Sequence, residues 1–332
     1  MPKTIRMADI AARMGVSTVT VSKALSGKDG VSDEIREKIK LLADEMGYHY
    51  GTSTKKGPKD TGNIGILIPY GFVEKTKSFY WDMYEHVVNR LSTNGYFGIL
   101  EMVRREDELQ VAKPRVLQDG KIDGIILIGQ AEPPYLKMLQ NSELPVMFLD
   151  FYDAASGQNC VISDGYYGMY TVTNYLISMG HREIHFIGSI HSTSSISDRY
   201  FGYCRAMMEH SIPVTEEMVV PDRGEDGVMS IHLPEKLPTA YVCNCDMVAG
   251  NVINQLKKRG ICVPEDISVV GFDDFMFPGL VQQDVTTYAV DMEGMARSCV
   301  ESLLRKVRNS NYIPNLKIVS GRLVIRSSVR RI

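Results

Sequence analysis

Apolar residues recur along the chain in two rhythms, and the change of rhythm divides it. Over the first fifty residues the spacing is helical. Met7, Ile10, Ala11 and Met14 fall on one face of a short helix, and Gly15 follows as its stop. Ser17 is a good N-cap for a second helix, TVTVSKALSG, ended by Gly27. Ser32 caps a third, whose apolar stripe is Ile35, Ile39, Leu42, Ala43 and Met46 before Gly47. From Asn63 onward, short continuous apolar runs alternate with amphipathic segments. NIGILIP, FGILEMV, GIILIG, VMFLDF, CVISD, EIHFIG, AYVCNC and ISVVGF read as strands covered on both faces. FYWDMYEHVVNRLSTNGY, GYYGMYTVTNYLISMGH, DRYFGYCRAMMEHS and DMVAGNVINQLKKRG between them read as helices. This alternation predicts a doubly wound α/β body, long enough for two lobes. Between head and body lies GTSTKKGPKD, residues 51–60, with no large apolar side chain.

The head has the spacing of a helix-turn-helix: a helix, a tight turn at Gly15-Val16-Ser17, and a second helix with small polar side chains turned outward. Thr18, Val19, Ser22 and Lys23 fall near its exposed N-terminal half, where a major-groove reader makes base contacts. Ser17 and Thr20 can donate to phosphates, and the helix N-terminus favours an anion. Charge points the same way. Residues 1–60 hold 11 Lys and Arg against 8 Asp and Glu, while the whole chain of 332 residues carries −3. A basic head on an acidic body is expected to meet a polyanion.

Other chemistry is not signalled. No run approaches the ~20 apolar residues of a membrane span, and MPKTIRMADIAARM has no apolar core of a signal peptide. The six cysteines are scattered, and CNC at 243–245 brings no further ligands at metal-site spacing, so no metal, cofactor or catalytic residue is expected. No G-x-G-x-x-G follows the first strand, which argues against a nicotinamide enzyme.

MADIAARMGVSTVTVSKALSGKDGVSDEIREKIKLLADEMGY resembles the head of the lactose-repressor (LacI/GalR) family of bacterial transcription regulators. Asp9, Ala11, Gly15, Val16, Ser17, Thr20, Val21, Ser22, Lys23, Leu25, Val31, Ser32, Arg36, Gly47 and Tyr48 fit its pattern. The resemblance implies that Thr18, Val19 and Lys23 reach base edges, and that Ser32 belongs to the same DNA-binding surface. It extends over the body, with the fold of periplasmic sugar-binding proteins. VISDGYYGMYTVTNYLISMGHREIHFIG, DRYFGYCRAM and VPEDISVVGFDD are similar to family segments.

Open sheets of this kind bind ligands beyond the carboxyl ends of their strands. Pro69 to Phe72, Gly129-Gln130, Asp150 to Tyr152, Ser163-Asp164, Gly188-Ser189, Asn244 to Asp246 and Asp273-Asp274 follow strands here. Carboxylates, amides and aromatics together suit a polyhydroxylated ligand. Carried over by resemblance, the best effector contacts are Asp164, Arg199 and Asp273. Phe79 and Tyr80 open the first helix of the body, and Met292 stands where some members stack an aromatic ring. Tyr70, Phe72, Asn244 and Asp246 complete the expected pocket. Cys245 occupies the family's usual Asn position, which leaves the effector's identity open. Trp81 faces either the pocket or a helix interface, and His181 reads as a structural cap.

The expected organisation is a DNA-binding domain at 1–50, a hinge at 51–62 and a body at 63–332. Lobe 1 takes about 63–160 plus 291–318, and lobe 2 about 161–290 plus 319–332. The expected function is that of a cytoplasmic repressor that is not an enzyme, binding a pseudo-palindromic double-stranded operator as a homodimer or tetramer. Its small effector is a sugar or glycoside, with a nucleobase or phosphoprotein co-regulator as the alternative and a transport receptor as a distant rival. In the family the hinge carries a leucine that wedges into the minor groove. Here Gly57 or Lys56 stands near that position, and Gly57 and Pro58 oppose a helix. Lys55, Lys56 and Lys59 are expected to give salt-sensitive phosphate contact instead.

Overall fold

The computed structural model describes residues 6–25, 30–46, 61–73, 78–118, 120–152, 159–224, 227–275 and 285–332. The chain forms two compact units, residues 1–60 and 61–332.

In the first unit, α1 (Met7–Met14), α2 (Thr18–Leu25) and α3 (Asp33–Glu45) enclose a small core. Ile10, Val21, Ala24, Ile39 and Ala43 are its buried centre, and Val16 packs against them from the turn. Gly15 ends α1 in the left-handed region, at φ 65, where a residue without Cβ is least strained. Ser17 then caps α2, its Oγ accepting from the Thr20 amide at 3.1 Å. Arg36 of α3 closes the other end of α2: its guanidinium donates to the carbonyls of Lys23 and Ala24 at 3.3 and 3.2 Å. The stripe expected on α3 holds at Ile39 and Ala43, with Leu42 and Met46 partly buried. Ile35 departs from it at 39% exposed, because a helix of three turns on so small a core buries only the narrow face opposite α1 and α2.

The second unit holds two sheets. The first is ordered β11-β5-β4-β3-β1-β2, from β1 (Asn63–Pro69), β2 (Phe97–Val103), β3 (Gly124–Ile128), β4 (Val146–Leu149), β5 (Cys160–Ser163) and β11 (Lys317–Val319). All of its pairings are parallel. Helices α4 (Phe79–Thr93), α5 (Arg105–Leu109), α6 (Pro133–Gln140) and α10 (Met292–Arg308) belong to this lobe. The second is ordered β12-β10-β9-β8-β6-β7, from β6 (Ile184–Ile187), β7 (Val219–Val220), β8 (Ala240–Cys243), β9 (Ser268–Asp273), β10 (Thr286–Ala289) and β12 (Arg322–Val324). Only β12 runs antiparallel to its neighbour. Helices α7 (Gly165–Ser178), α8 (Ser194–Glu209) and α9 (Asp246–Lys258) belong to that lobe.

Each sheet is buried on both faces, so its inner strands read as unbroken apolar runs. β3 and β4 are buried at every position, whereas β2, at a sheet edge, is half exposed. The chain passes between lobes three times: after Ser163, after Ala289 and after Val319. The first passage thus follows β5 rather than preceding it at residue 160, since Cys160–Ser163 pairs with β4. Helix α8 lies close on α7 because Gly202 faces the α7 backbone, where a Cβ would overlap the Tyr166 carbonyl. His181 is buried between Thr239 Oγ1, at 3.0 Å, and the Arg330 carbonyl, at 3.2 Å, which is the structural role expected of it.

Candidate functional site

Carboxyl ends of strands from both sheets face one cleft of about 210 Å³. Its floor comes from the second lobe. Arg199 projects from the first turns of α8 and is buried, with its Cζ 4.1 Å from the centre of the Phe272 ring. One Nη donates to the Asn244 carbonyl at 3.0 Å, and Nε has no partner among the described residues. Asp273 ends β9 at φ 95 and is buried beside it, one carboxylate oxygen accepting from the Phe275 amide at 2.9 Å. From the first lobe come Asp150, at the end of β4 with φ 71, and an aromatic wall of Phe72, Phe79 and Tyr80. The Tyr80 hydroxyl donates to Asp150 Oδ2 at 3.2 Å, and Oδ1 is buried without a partner among the described residues.

The electrostatics follow from this burial. Desolvation pushes the Asp150 carboxyl up to about 6, against the opposing pull of Arg199 and of the Tyr80 hydrogen bond. It pushes Asp273 to about 7, again against Arg199. The site therefore holds the buried Arg199 guanidinium beside two carboxyls that ionise near neutrality, with Arg199 Nε and Asp150 Oδ1 lacking a partner among the described residues.

Six of the ten expected effector residues meet there: Phe72, Phe79, Tyr80, Arg199, Asn244 and Asp273. Asn244 has its amide committed to Asp222 at 2.9 Å. The other four lie elsewhere. Asp164 caps α7, accepting from the Tyr167 amide at 3.1 Å, and its second oxygen accepts from Ser320 at 3.4 Å. Asp246 starts α9 but points under the sheet, so close to Gly271 that a Cβ there would overlap its Oδ1. Tyr70 is 52% exposed in the turn after β1. Met292 opens α10 beside a separate crevice with His86, Asp274 and Arg322. Trp81 lies with Tyr84 in a groove along α4 and does not line the cleft.

The cleft also gathers residues that the sequence did not single out as contacts. Asp150 was visible only as one strand end among several. Thr193 and Ser195 come from HSTSSISD, which carries no motif, and form the start of α8. Arg223 and Met229 lie in a loop with no recognisable pattern, and Met247 lies in the helix read from DMVAGNVINQLKKRG without being marked as a contact. Cys245 also lines the cleft, its thiol raised to about 12 by burial and by Asp273.

In the head, Thr18, Val19, Ser22 and Lys23 share the outer face of α2, above buried Val21, Ala24 and Leu25. Val19 is 61% exposed, so its apolar side chain is free to meet a base edge. Ser17 Oγ and Thr20 Oγ1 lie 2.9 Å apart at the helix start, and Ser32 is exposed. Lys55 and Lys56, with the rest of residues 47–60, lie outside the described residues.

The model of bacterial regulatory proteins of the lacI family matches residues 6–50, and that of a periplasmic binding protein-like domain matches residues 173–329. The chain carries a lacI-family head on a periplasmic binding protein-like body. The lacI-family head and binding-protein-like body make it a DNA-binding transcriptional repressor with a ligand-binding domain. Its relatives include the HTH-type transcriptional repressor PurR of Vibrio campbellii, 26% identical over 98% of both chains. The ribose operon repressor of Haemophilus influenzae is 25% identical over 97% of this chain and 98% of its own. Two solved structures share the fold. One is a transcriptional regulator CelR–cellobiose complex (TM-score 0.69, 22% identity, 98% of this chain and 99% of that one). The other is the lac repressor dimer bound to operator and the anti-inducer ONPF (TM-score 0.66, 20% identity, 99% and 100%).

Proposed function

We propose that the cleft between the lobes binds a sugar or glycoside, and that this effector sets the affinity of a cytoplasmic homodimer for a pseudo-palindromic operator. The observation that carries this reading is the group of Asp150, Asp273 and Arg199 beside an aromatic wall. Planar acceptors and a planar donor suit adjacent hydroxyls, and a ring face suits the C–H face of a sugar. The wall does not make a slot for a flat base. Phe72 and Tyr80 are tilted by 55°, and Phe79 meets Tyr80 edge-on at 81°.

Because Asp150 and Tyr80 belong to one lobe and Arg199 and Asp273 to the other, an effector touching all four favours one relative setting of the lobes. In a dimer that setting fixes the separation of the two α2 helices, which must match half-sites about one helical turn apart. Thr18, Val19, Ser22 and Lys23 would read base edges, while Ser17, Thr20, Ser32, Lys55 and Lys56 would hold phosphates. A thermal-shift screen of mono- and disaccharides on the purified protein tests the effector class, since a ligand of the folded state stabilises by RT ln(1 + [L]/Kd). Shifts with nucleobases and none with sugars would overturn it.

A further inference from the structure

Arg199, Asp150 and Asp273 are enough to hold one sugar ring, yet the cleft has further lining from a separate piece of chain. This is the loop after β7, described at residues 222–224 and 227–230. It folds back on itself as a narrow hairpin. Arg223 bridges Met229 in antiparallel fashion. The Gly224 amide donates to the Val228 carbonyl at 3.0 Å, and the Ser230 amide to the Asp222 carbonyl at 2.9 Å. Gly227 adopts φ 78 at the turn, a left-handed conformation suited to glycine. Arg223, Gly227 and Met229 all line the cleft.

The hairpin is anchored from below. Asp222 is fully buried, and its carboxylate accepts from Arg223 Nε and Nη2 at 3.1 and 2.8 Å. It also accepts from the Ser189 amide at 2.8 Å and from Asn244 Nδ2 at 2.9 Å. Burial alone would raise this carboxyl, but the Arg223 hydrogen bonds and charge, with Asn244 and Ser189, hold it below the ordinary aspartate range. The Arg223 guanidinium is thereby fixed, with Nη1 lacking a partner among the described residues. Met229 is tied through its sulfur to Asn251 Nδ2 at 3.2 Å. With Met247 it offers an adaptable apolar surface next to a fixed donor. A fixed donor beside an apolar face is the complement of a second pyranose, which presents hydroxyls at its rim and C–H groups on its face.

We infer that Arg223, Gly227 and Met229 of this loop, with Met247, build a second subsite, and that the effector is a disaccharide or longer: the strand-end carboxyls and Arg199 hold one ring, and Arg223, Met229 and Met247 hold the ring glycosidically joined to it. This rests on the sugar reading above. A monosaccharide would leave the anchored guanidinium and both thioethers facing water.

Isothermal titration of the full-length protein with glucose, galactose and xylose, each against disaccharides containing it (cellobiose, maltose, lactose, xylobiose), tests the inference. At least one disaccharide is expected to bind tenfold or more tightly than its component monosaccharide. Met229→Ala and Arg223→Lys should each lower disaccharide affinity at least tenfold and monosaccharide affinity less than threefold. Met229→Ala leaves the Asp222 anchor intact, and the thermal midpoint of each ligand-free variant checks its folding. A monosaccharide that binds as tightly as its disaccharide overturns the second subsite and leaves the sugar reading standing. So does an equal loss of both ligands in the variants. No response to sugars of either size overturns the sugar reading, and the subsite with it.

Discussion

Asp150→Asn should make the ligand-free protein more stable, by an amount that depends on pH. Asp150 is buried, has one oxygen without a partner among the described residues, and ionises at about 6 in the folded body. In an unfolded chain an aspartate ionises near ~3.9. The folded state therefore keeps a proton that the unfolded state has already lost, and stability falls as pH rises from ~4 through ~6. With roughly two pKa units at ~1.4 kcal/mol each, the cost is about 3 kcal/mol at pH 8, about 1.5 at pH 5 and about 0.5 at pH 4. Asparagine has the same shape, accepts from Tyr80 in the same way, tolerates the left-handed backbone of this position and does not ionise. The variant should thus gain about 3 kcal/mol at pH 8, or about 6–12 °C in the midpoint of a domain this large, and almost nothing at pH 4. Calorimetry of the body transition across this range measures the gain. A gain of equal size at pH 4 and pH 8, or none at pH 8, would refute the reasoning. The same variant should bind sugar poorly, because the carboxylate that destabilises the empty cleft is a strong acceptor for hydroxyls.

Arg199→Ala should abolish the effector response while leaving operator affinity intact; a normal thermal shift with sugar would remove Arg199 from the site. Lys23→Ala should weaken operator binding more than binding to random DNA, by ~1–3 kcal/mol if it reads a base; equal losses in a gel-shift titration would reduce it to a phosphate contact. Gly202→Ala forces α8 away from the Tyr166 carbonyl and should cost at least ~1–3 kcal/mol in chemical denaturation; a neutral result would mean the helices have room to separate. A circular-permutation assay should find little central bending of the operator, on the expectation that Gly57 or Lys56 stands near the position of the family's leucine; a strong kink would contradict that.

Much of this was legible in the sequence because it depends on short-range rules. Strands buried on both faces announce themselves as apolar runs, and eight of them stand where VMFLDF, CVISD and their like predicted. The strands missed were β7, β10, β11 and β12, each of four residues or fewer. β7, β11 and β12 have two or three residues and are in part exposed, too little for periodicity to register, whereas β10 is buried throughout but reads TTYA, whose two threonines break the apolar run. The cleft was legible only as a list of strand ends. Which of those ends turn inward depends on local geometry. Asp150 and Asp273 do so with positive φ, whereas Asp164 serves the helix that follows it. The hairpin residues Arg223 and Met229 reach the cleft through long-range anchoring by Ser189, Asn244 and Asn251. No local pattern carries that information.

The threefold passage of the chain between lobes has a consequence for modularity. The head is contiguous in sequence, so a single recombination event in residues 51–60 can give the body a new operator. The lobes cannot be exchanged so simply. The last strands, β11 and β12, lie next to each other in sequence but complete different sheets. A truncation after Arg308 would remove an edge strand from both lobes at once. Inheritance should therefore shuffle heads freely while handing down each body whole, with new effector specificities arising by point changes within the cleft.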